Sequence, residues 1–503
     1  MRTSHFSVPG LTPAAARRPD GEENPQAGAS RTRRRRSESV VARIVIVGGG
    51  PAGYEAALVA AQLGAEVTLV ERDGSGGACV LYDCVPSKTF IASSDVVTTF
   101  RGADALGVRA GRATVDAAAV HGRVKRLAAK QSEDIHDKVA KSGVEIVTGT
   151  ARLAEDTLGH THRVRITPAE GAEYQVDADV VLLATGATPR VLPDARPDGE
   201  RILTWRQVYD LPELPEKLIV VGSGVTGAEF ASAYLAMGVD VTLVSSRDRV
   251  LPSEDTDAAA ALEQVFGDRG MTVLHRSRAA SVRRDGDGVR VELTDGRVIT
   301  GSHALMTVGS VPNTAGLGLA EYGVALGRGG FVTVDRVSRT TVPGIYAAGD
   351  CTGLLMLASV AGMQGRIAMW HALGEAVQPL RLSTVSANVF TDPEIATVGA
   401  SQAAVDSGKV PARTVMLPLR TNPRAKMQGI RDGFVKLFCR PASGLVVGGV
   451  VVAPKASELI LPIAMAIEHH LSVQQLAQTI TIYPSLSGSL AEAARQLMQH
   501  EFD

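Results

Sequence analysis

The stretch that decides the fold runs from Arg43 to Gly53 and reads Arg-Ile-Val-Ile-Val-Gly-Gly-Gly-Pro-Ala-Gly. A second copy lies 174 residues further on, from Lys217 to Gly227, and reads Lys-Leu-Ile-Val-Val-Gly-Ser-Gly-Val-Thr-Gly. Each copy passes into an alanine-rich stretch with helical spacing and then into a second apolar run, which is the order of a β-α-β unit. The repeat predicts an α/β protein with two Rossmann-like dinucleotide-binding domains.

The glycines of each copy have separate roles at a dinucleotide. The first permits the tight turn after the strand, the second lets the backbone approach a pyrophosphate, and the third lets helix and strand pack closely. The helix that follows presents free N–H groups and the positive end of its dipole to the phosphates. These glycines are Gly48, Gly50 and Gly53 in the first copy and Gly222, Gly224 and Gly227 in the second.

The two copies differ at the residue where the second strand ends. In the first copy this residue is Glu71, which can accept hydrogen bonds from both ribose hydroxyls. In the second copy it is Ser245, followed two residues later by Arg247, and this change admits a 2′-phosphate. In contrast, a glycine at the third position of the motif, here Gly227, is more usual in sites for NAD than in sites for NADP. The sequence therefore favours NADPH, while use of NADH and a reading of Arg247 as a plain surface cation stay open.

Composition excludes several classes of protein. The chain has 503 residues, of which 45% are hydrophobic and 21% charged, so most of it is expected to fold. A formal charge of −1 gives no field that would draw the whole protein to nucleic acid. No apolar run approaches the roughly 18 to 20 residues that span a bilayer. Four cysteines and no secretory signal predict a cytoplasmic protein, and no metal site is expected.

The first 42 residues are expected to form a disordered tail outside the fold. They are rich in Arg, Pro, Ala, Ser and Gly, show no apolar periodicity and end in the run Arg33 to Arg36. Such a run could contact nucleic acid or a membrane, but a solvated leader or a misplaced start codon is the favoured interpretation.

A pair of cysteines lies between the two repeats. Cys79 and Cys84 stand five residues apart in a run with flanking glycines, a proline and Lys88. On an ideal helix they would be about 140° and about 7.5 Å apart, beyond the roughly 7 Å reach of a relaxed bridge. A disulfide would need a distorted helix start and would be labile, which suits an exchangeable redox pair. Two unrelated buried thiols are the alternative, and Cys351 and Cys439 are interpreted as ordinary thiols.

These features resemble the flavin-dependent pyridine nucleotide-disulfide oxidoreductases, whose branches include dihydrolipoamide dehydrogenase and glutathione reductase. The run Ala184-Thr185-Gly186 resembles that family's ATG strand end, and Gly344 to Asp350 resembles its second flavin segment. Phe390 to Glu394 resembles the opening of its C-terminal dimerisation domain. The resemblance covers residues 43 to about 500 and implies a homodimer.

By this resemblance the first repeat binds FAD, the second binds NAD(P)H, and a hydride passes from the nicotinamide to the flavin. Lys88 would lie near flavin N5 and pair with Glu229, although a plain structural ion pair stays possible. The residues expected to be catalytic are Cys79, Cys84, Lys88, Glu229 and Tyr483. The residues expected at the cofactors are Gly48, Gly50, Gly53, Glu71, Lys88, Ala151, Gly186, Gly222, Gly224, Gly227, Glu229, Arg247, Gly309, Asp350 and Ala358.

The chain departs from the family at its acid/base residues. Where the disulfide reductases have His-Pro-x-x-x-Glu, this chain has Tyr483-Pro484 and Gly488. A tyrosine, with a pKa near 10, is poorly suited to moving a proton from a thiol at neutral pH. Two further changes, Ser310 for Arg and Ser359 for His, point the same way. The bond between Tyr483 and Pro484 is expected to be cis.

A quinone needs no protonated thiol, because it can take electrons directly from a reduced flavin. The segments Val85 to Phe90 and Tyr483 to Gly488 resemble the lipoamide dehydrogenase-like NAD(P)H:quinone reductases of bacteria. The expected function is therefore transfer of two electrons from NAD(P)H through FAD to a quinone. Two alternatives stay open: a true dihydrolipoyl dehydrogenase, and a flavoprotein that acts as a redox sensor or as a subunit of a larger complex.

The expected architecture is two Rossmann-like domains and a C-terminal α+β dimerisation domain. The predicted parts are a tail over 1–42, an FAD-binding domain over 43–215 and 316–384, an NAD(P)-binding domain over 216–315, and the dimerisation domain over 385–503.

Overall fold

The computed structural model describes residues 41–109, 111, 113–154 and 161–499, and the account below concerns these residues. Of the predicted tail over residues 1–42, all but the last two residues fall outside them.

The first part of the chain alternates strands and helices. Its elements are β1 (Arg43–Val47), α1 (Pro51–Gln62), β2 (Glu66–Glu71), α2 (Gly77–Leu81), α3 (Cys84–Gly102), α4 (Ala117–Lys141), β3 (Glu145–Leu153), β4 (His162–Pro168), β5 (Tyr174–Ala178), β6 (Val180–Leu183), β7 (Ala187–Pro189) and β8 (Ile202–Leu203).

The second repeat opens the middle part. Its elements are β9 (Lys217–Val221), α5 (Val225–Ala236), β10 (Asp240–Val244), α6 (Thr256–Asp268), β11 (Thr272–Leu274), β12 (Ala279–Asp285), β13 (Gly288–Leu293), β14 (Val298–Gly301), β15 (His303–Met306), β16 (Ser310–Pro312), β17 (Ile345–Ala347) and α7 (Ala358–Ala372).

The last part holds longer antiparallel strands and short helices. Its elements are β18 (Ser386–Val389), β19 (Glu394–Gly399), α8 (Gln402–Asp406), β20 (Arg413–Pro418), α9 (Pro423–Met427), β21 (Phe434–Cys439), β22 (Val446–Ala453), α10 (Ala456–Leu459), α11 (Leu461–Glu468), α12 (Val473–Gln478) and α13 (Gly488–Gln499). Short 3-10 turns lie at Ala103–Leu106, Val208–Asp210, Arg328–Gly330, Asp350–Thr352, Leu382–Thr384 and Leu419–Thr421.

The first repeat builds a seven-stranded sheet in the order β17-β6-β1-β2-β3-β4-β5. The five strands from β17 to β3 are parallel, and β4 and β5 are antiparallel additions. Ile44 to Val47 of β1 are all buried, because this central strand is covered by α1, α4 and α7 on one face and by residues of β3 and β4 on the other. The carboxyl ends of β1, β6 and β17 therefore meet at one edge, where α1 and α7 begin.

The second repeat builds a parallel five-stranded sheet in the order β11-β10-β9-β15-β8. Strand β8 joins this sheet through β15, although its residues, 202 and 203, precede the predicted boundary at residue 216. Strand β17 then returns the chain to the first sheet beside β6. The second nucleotide-binding unit is thus inserted within the first.

The C-terminal part forms an antiparallel five-stranded sheet in the order β18-β19-β22-β21-β20, with helices packed against it. Its strand β21 carries Lys436, whose side chain is 1% exposed. The Lys436 ammonium lies 2.8 Å from an oxygen of the buried Asp255 and 2.6 Å from Asp257, both at the start of α6. This ion pair joins the C-terminal sheet to the second nucleotide-binding unit.

The predicted α/β fold class is confirmed by these sheets. The bond between Tyr483 and Pro484 is cis, as expected, and so is the bond between Asp392 and Pro393, which was not predicted. None of the helices in the described part of the chain has the length and apolar content that crossing a membrane requires.

Candidate cofactor and redox site

A cleft opens where the carboxyl ends of the first sheet meet. Of the residues that the sequence assigned to the site, Gly48, Gly50, Glu71, Cys79, Cys84, Gly186, Asp350 and Ala358 line it. Open parallel sheets bind their ligands at this edge, where neighbouring connections leave in opposite directions. The structure therefore brings together residues from three distant parts of the chain.

The third glycine of each repeat is required by a close approach of two backbones. A Cβ atom at Gly53 would lie 1.8 Å from the carbonyl oxygen of Gly48, and one at Gly227 would lie 1.9 Å from that of Gly222. No side chain can occupy either position without moving the helix off its strand. Both repeats thus have the tight strand-to-helix packing that the sequence predicted.

The start of α1 is suited to an anion. Gly50 precedes the helix and gives no side-chain cap, and Pro51 occupies the first turn, where its missing N–H costs nothing. The remaining N–H groups of this turn have no side-chain partner and lie beside the cleft. They and the helix dipole fit the pyrophosphate of a dinucleotide.

The carboxylate of Glu71 lies at the same end of the cleft. One oxygen accepts the backbone N–H of Gly49 at 2.5 Å, and the other accepts that of Asp73 at 2.8 Å. These two bonds hold the carboxylate in place, and each oxygen keeps a lone pair for a ribose hydroxyl.

Cys79 and Cys84 lie on either side of a break between two helices. Helix α2 ends at Leu81 and α3 begins at Cys84, so the pair does not share one continuous helix. The two thiols are separate in the described structure. A hydrogen bond with Cys79 and burial raise the pKa of Cys84. Cys84 is therefore held as a protonated thiol at neutral pH, and the thiolate, not the thiol, is the nucleophile.

Lys88 follows Cys84 by one turn of α3 and meets Glu229 of α5. Its Nζ atom lies 2.8 Å from one carboxylate oxygen of Glu229, whose side chain is 5% exposed. The other oxygen accepts the backbone N–H of Phe390 at 2.9 Å. Burial lowers the pKa of Lys88, but the charge of Glu229 and its hydrogen bond, together with the neighbouring acidic groups, outweigh burial, so the pKa is raised and Lys88 stays an ammonium.

Ser245 follows strand β10 in the second nucleotide-binding unit. This side chain is fully buried, and its hydroxyl lies 2.7 Å from that of Ser223 in the glycine-rich turn. The hydroxyl is therefore occupied within the protein, whereas Ser246 and Arg247 are exposed beside it. Gly222 and Gly224 stand in the same turn, between β9 and α5.

Ten assigned residues do not line the cleft, and three of them also lie outside the glycine-rich turns, the Lys88–Glu229 pair and the surroundings of Ser245. Ala151 is buried among the apolar residues beneath the first sheet, where it pairs with Ile166. The carbonyl of Gly309 accepts the backbone N–H of Arg190 at the junction with the second sheet. Tyr483 is 82% exposed.

The cleft also contains residues that sequence reasoning missed, among them Asp83, Arg206 and Asn313. The guanidinium of Arg206 lies 4.5 Å from the ring centroid of Tyr82, and the side-chain amide of Asn313 donates to the carbonyl of Thr185 at 2.9 Å. Neither Arg206 nor Asn313 stands in the glycine motifs. Asp83, in contrast, stands directly before Cys84 in the sequence, and this carboxyl beside a candidate redox cysteine is a signal that could have identified it.

Comparison with known proteins agrees with this geometry. Residues 42–365 match the pyridine nucleotide-disulphide oxidoreductase family, and residues 385–494 match that family's dimerisation domain. The chain belongs to the pyridine nucleotide-disulphide oxidoreductase family. The resemblance inferred from the sequence is thereby confirmed.

Two relatives represent different activities within the family. An NAD(P)H dehydrogenase (quinone) of Mycobacterium tuberculosis (strain ATCC 25618 / H37Rv) is 61% identical over 468 residues, 92% of this chain and 95% of the relative. A dihydrolipoyl dehydrogenase of Zymomonas mobilis is 32% identical, over 90% of this chain and 96% of the relative.

Solved structures of the family share the fold. LpdA from Mycobacterium tuberculosis is 61% identical, with a TM-score of 0.88 over 91% of this chain and 100% of that one. The HOCl-induced flavoprotein disulfide reductase RclA from Escherichia coli is 23% identical, with a TM-score of 0.79 over 90% of this chain and 99% of that one, and shows the fold alone.

The family's cofactors are FAD and NAD(P)H, and the residues present fit both. Uncapped N–H groups at α1, the Glu71 carboxylate and the walls of the cleft match the parts of FAD. The glycine-rich turn after β9 repeats this arrangement for a second dinucleotide.

Proposed function

We propose that this chain is an NAD(P)H dehydrogenase that passes two electrons from NAD(P)H, through FAD, to a quinone. The observation that carries the proposal is the replacement of the family's acid/base dyad by Tyr483 and Gly488. The relative with 61% identity, which is an NAD(P)H dehydrogenase (quinone), supports it.

Disulfide exchange needs a thiolate and a group that moves its proton. Among the described residues that line the cleft, none is a histidine. The raised pKa of Cys84 also keeps its thiol protonated and poorly nucleophilic. Quinone reduction depends on neither property, because electrons can reach the acceptor without a covalent bond to sulfur. The site therefore favours a diffusible oxidant over a disulfide.

FAD, when bound, supplies the chemistry of accepting a hydride and releasing two electrons. The residues of this chain bind and orient it: the first turn of α1 holds the pyrophosphate, Glu71 holds the ribose, and Asp350 meets the middle of the cofactor. In this proposal Lys88 places a positive charge near the ring, and Glu229 fixes the position of that charge.

The proposal includes a homodimer. The chain carries the family's dimerisation domain, and the segment around the replaced dyad is apolar and exposed. Ile480 is 98% exposed, Ile482 81% and Tyr483 82%. Covering these side chains with a second copy would remove a large apolar patch from water. We further propose the cytoplasm as the location, and the domain boundaries at residues 215, 315 and 384.

A dihydrolipoyl dehydrogenase activity is the second candidate. It is favoured by the position of Cys79 and Cys84, which lie together in the cleft wall, and by the relative with 32% identity. Disulfide exchange requires the thiols of Cys79 and Cys84, whereas quinone reduction does not. One set of assays with different acceptors therefore separates the two functions.

The test is a steady-state comparison of NADH and NADPH with a soluble quinone, lipoamide and glutathione disulfide as acceptors. We expect turnover with the quinone to exceed turnover with either disulfide by at least about 100-fold, the lower range of a general acid/base contribution. Oxidation of dihydrolipoamide as fast as quinone reduction would show that the acceptor assignment is wrong.

A further inference from the structure

Asp83 occupies a cap position that its side chain does not use. It immediately precedes helix α3, where an aspartate ordinarily accepts the N–H of the second or third helical residue. The third residue here is Pro86, which has no N–H to donate. Within the described residues no hydrogen bond reaches the Asp83 carboxylate, and its side chain lines the cleft instead.

The surroundings of Asp83 are mostly acidic. Among the described groups whose charge acts on Asp83, the one cation is Lys88, which is already paired with Glu229 at 2.8 Å. Burial raises the pKa of Asp83, the charge of Lys88 opposes this, and that of Glu229 adds to it. The titratable groups that face Asp83 are Cys79 on α2, Cys84 and Lys88 on α3, Tyr209 on the turn Val208–Asp210, Glu229 on α5 and Asp350 after β17.

Tyr209 and Asp350 indicate how a proton on Asp83 could exchange with solvent. Tyr209 is 5% exposed, and its hydroxyl has no hydrogen-bond partner in the described part of the chain. Burial raises its pKa far above the usual range, so the phenol does not ionise. Asp350 lines the same cleft as Asp83, and burial raises its pKa to about 6. Because Asp83 lines the cleft and the neighbouring phenol stays protonated, a proton on Asp83 exchanges through the cleft.

We propose that Asp83 holds a proton and donates it to the quinone. This inference rests on the proposed function. Reduction of a quinone to a hydroquinone takes up two electrons and two protons, and NAD(P)H supplies the two electrons and one of the protons. For the second proton, the O–H bond of Asp83 breaks as an O–H bond of the hydroquinone forms. The carboxylate then takes a proton from water that enters the cleft.

The kinetic test separates the two half-reactions of the holoenzyme in Asp83→Asn. Hydride uptake from NAD(P)H needs no additional proton, so its rate should stay within about twofold of wild type. Reoxidation by a quinone should slow by about 100-fold or more, the ordinary contribution of a general acid. Ferricyanide accepts electrons without protons and should reoxidise the variant at the wild-type rate.

A second test needs no turnover. Protein labelled with ¹³C-aspartate should show the infrared band of a protonated carboxyl at neutral pH, and Asp83→Asn should lose that band. In Asp83→Glu the band should leave the aspartate label and appear with a glutamate label, and quinone reoxidation should recover. This variant keeps the test decisive if the asparagine variant fails to fold. Asp104→Asn, an exposed carboxylate just beyond α3, is the matched control.

The possible results are distinct. Equal slowing with quinone and ferricyanide would make Asp83 a structural residue and overturn the proposal. Reoxidation by a quinone within twofold of wild type would show that water supplies the proton. If wild-type protein reduces ferricyanide but no quinone, the proposed function fails. The infrared band then still decides whether Asp83 holds a proton, and its absence in wild type would overturn that claim.

Discussion

The Nζ atom of Lys88 lies 2.8 Å from a carboxylate oxygen of Glu229, across 141 residues of sequence. Lys88 belongs to a helix beside the cleft, and Glu229 belongs to the first helix of the second repeat. The same carboxylate accepts the backbone N–H of Phe390, at the start of the C-terminal part. One buried side chain therefore sets the relative position of three parts of the chain.

We expect Glu229→Ala to destabilise the protein by roughly 1 to 3 kcal/mol, because it leaves the half-buried ammonium of Lys88 and the backbone N–H of Phe390 without a partner. Glu229→Gln keeps an acceptor for Phe390 and should cost less. Urea unfolding followed by circular dichroism measures both. Glu213→Ala, at an exposed position, should change stability by less than about 0.5 kcal/mol. An alanine variant as stable as wild type would show that the pair does not fix this junction.

The third glycines should separate the two dinucleotide sites. Gly53→Ala places a methyl group 1.8 Å from a carbonyl oxygen beside the first site, so the purified protein should carry little flavin. Gly227→Ala should keep the flavin absorbance and weaken binding of NAD(P)H in a fluorescence titration. Gly267→Ala is the control, since open space surrounds that position in α6. Retention of both cofactors by Gly53→Ala would contradict the assignment of the first repeat to FAD.

The cysteines should matter little for quinone reduction. Cys84→Ser removes the second thiol of the pair while leaving a hydroxyl in its place, so the cleft keeps its shape. We expect its rate of quinone reduction to stay within about twofold of wild type. Any residual turnover with lipoamide should disappear, because disulfide exchange requires both sulfurs. A loss of quinone turnover of tenfold or more would place the thiols on the electron path.

His303 should make stability depend on pH. Burial, together with the neighbouring Arg201 guanidinium, lowers the pKa of His303 to about 4, whereas an imidazole in the unfolded chain titrates near 6.5. Between these values the unfolded chain binds more protons, so stability decreases as the pH falls from about 6.5 to about 4. Urea unfolding at about pH 7.5 and about pH 5 measures this decrease, which should be smaller in His303→Gln. In His469→Gln, at an exposed position, it should equal that of wild type.

The repeat made the two parallel sheets predictable, because period and spacing in a β-α-β unit are local properties. Strand β8 could not be placed in this way. It has only two residues, Ile202 and Leu203, and its partner β15 lies about 100 residues away. Its membership of the second sheet is decided by packing, which leaves no periodic trace in so short a segment.

The site was predictable where a motif fixes the backbone, as at Gly48 and Glu71. It was not predictable where distant segments meet. The amide of Phe390 that binds Glu229 is a backbone group, which every residue but proline has. Ala151 stays a prediction: its side chain lies in the core, so a contact with the cofactor would have to come from its backbone.

The buried ion pair of Lys436 affects how cooperatively the protein unfolds on heating. Its ammonium and the Asp255 carboxylate are enclosed between the C-terminal sheet and the start of α6. Separating the C-terminal sheet from α6 separates the two charges before water can surround either one. Partial separation of these surfaces therefore has a high free energy. The second nucleotide-binding unit and the C-terminal sheet should consequently unfold together, in a single calorimetric peak. The nucleotide-binding unit should not move independently of the sheet.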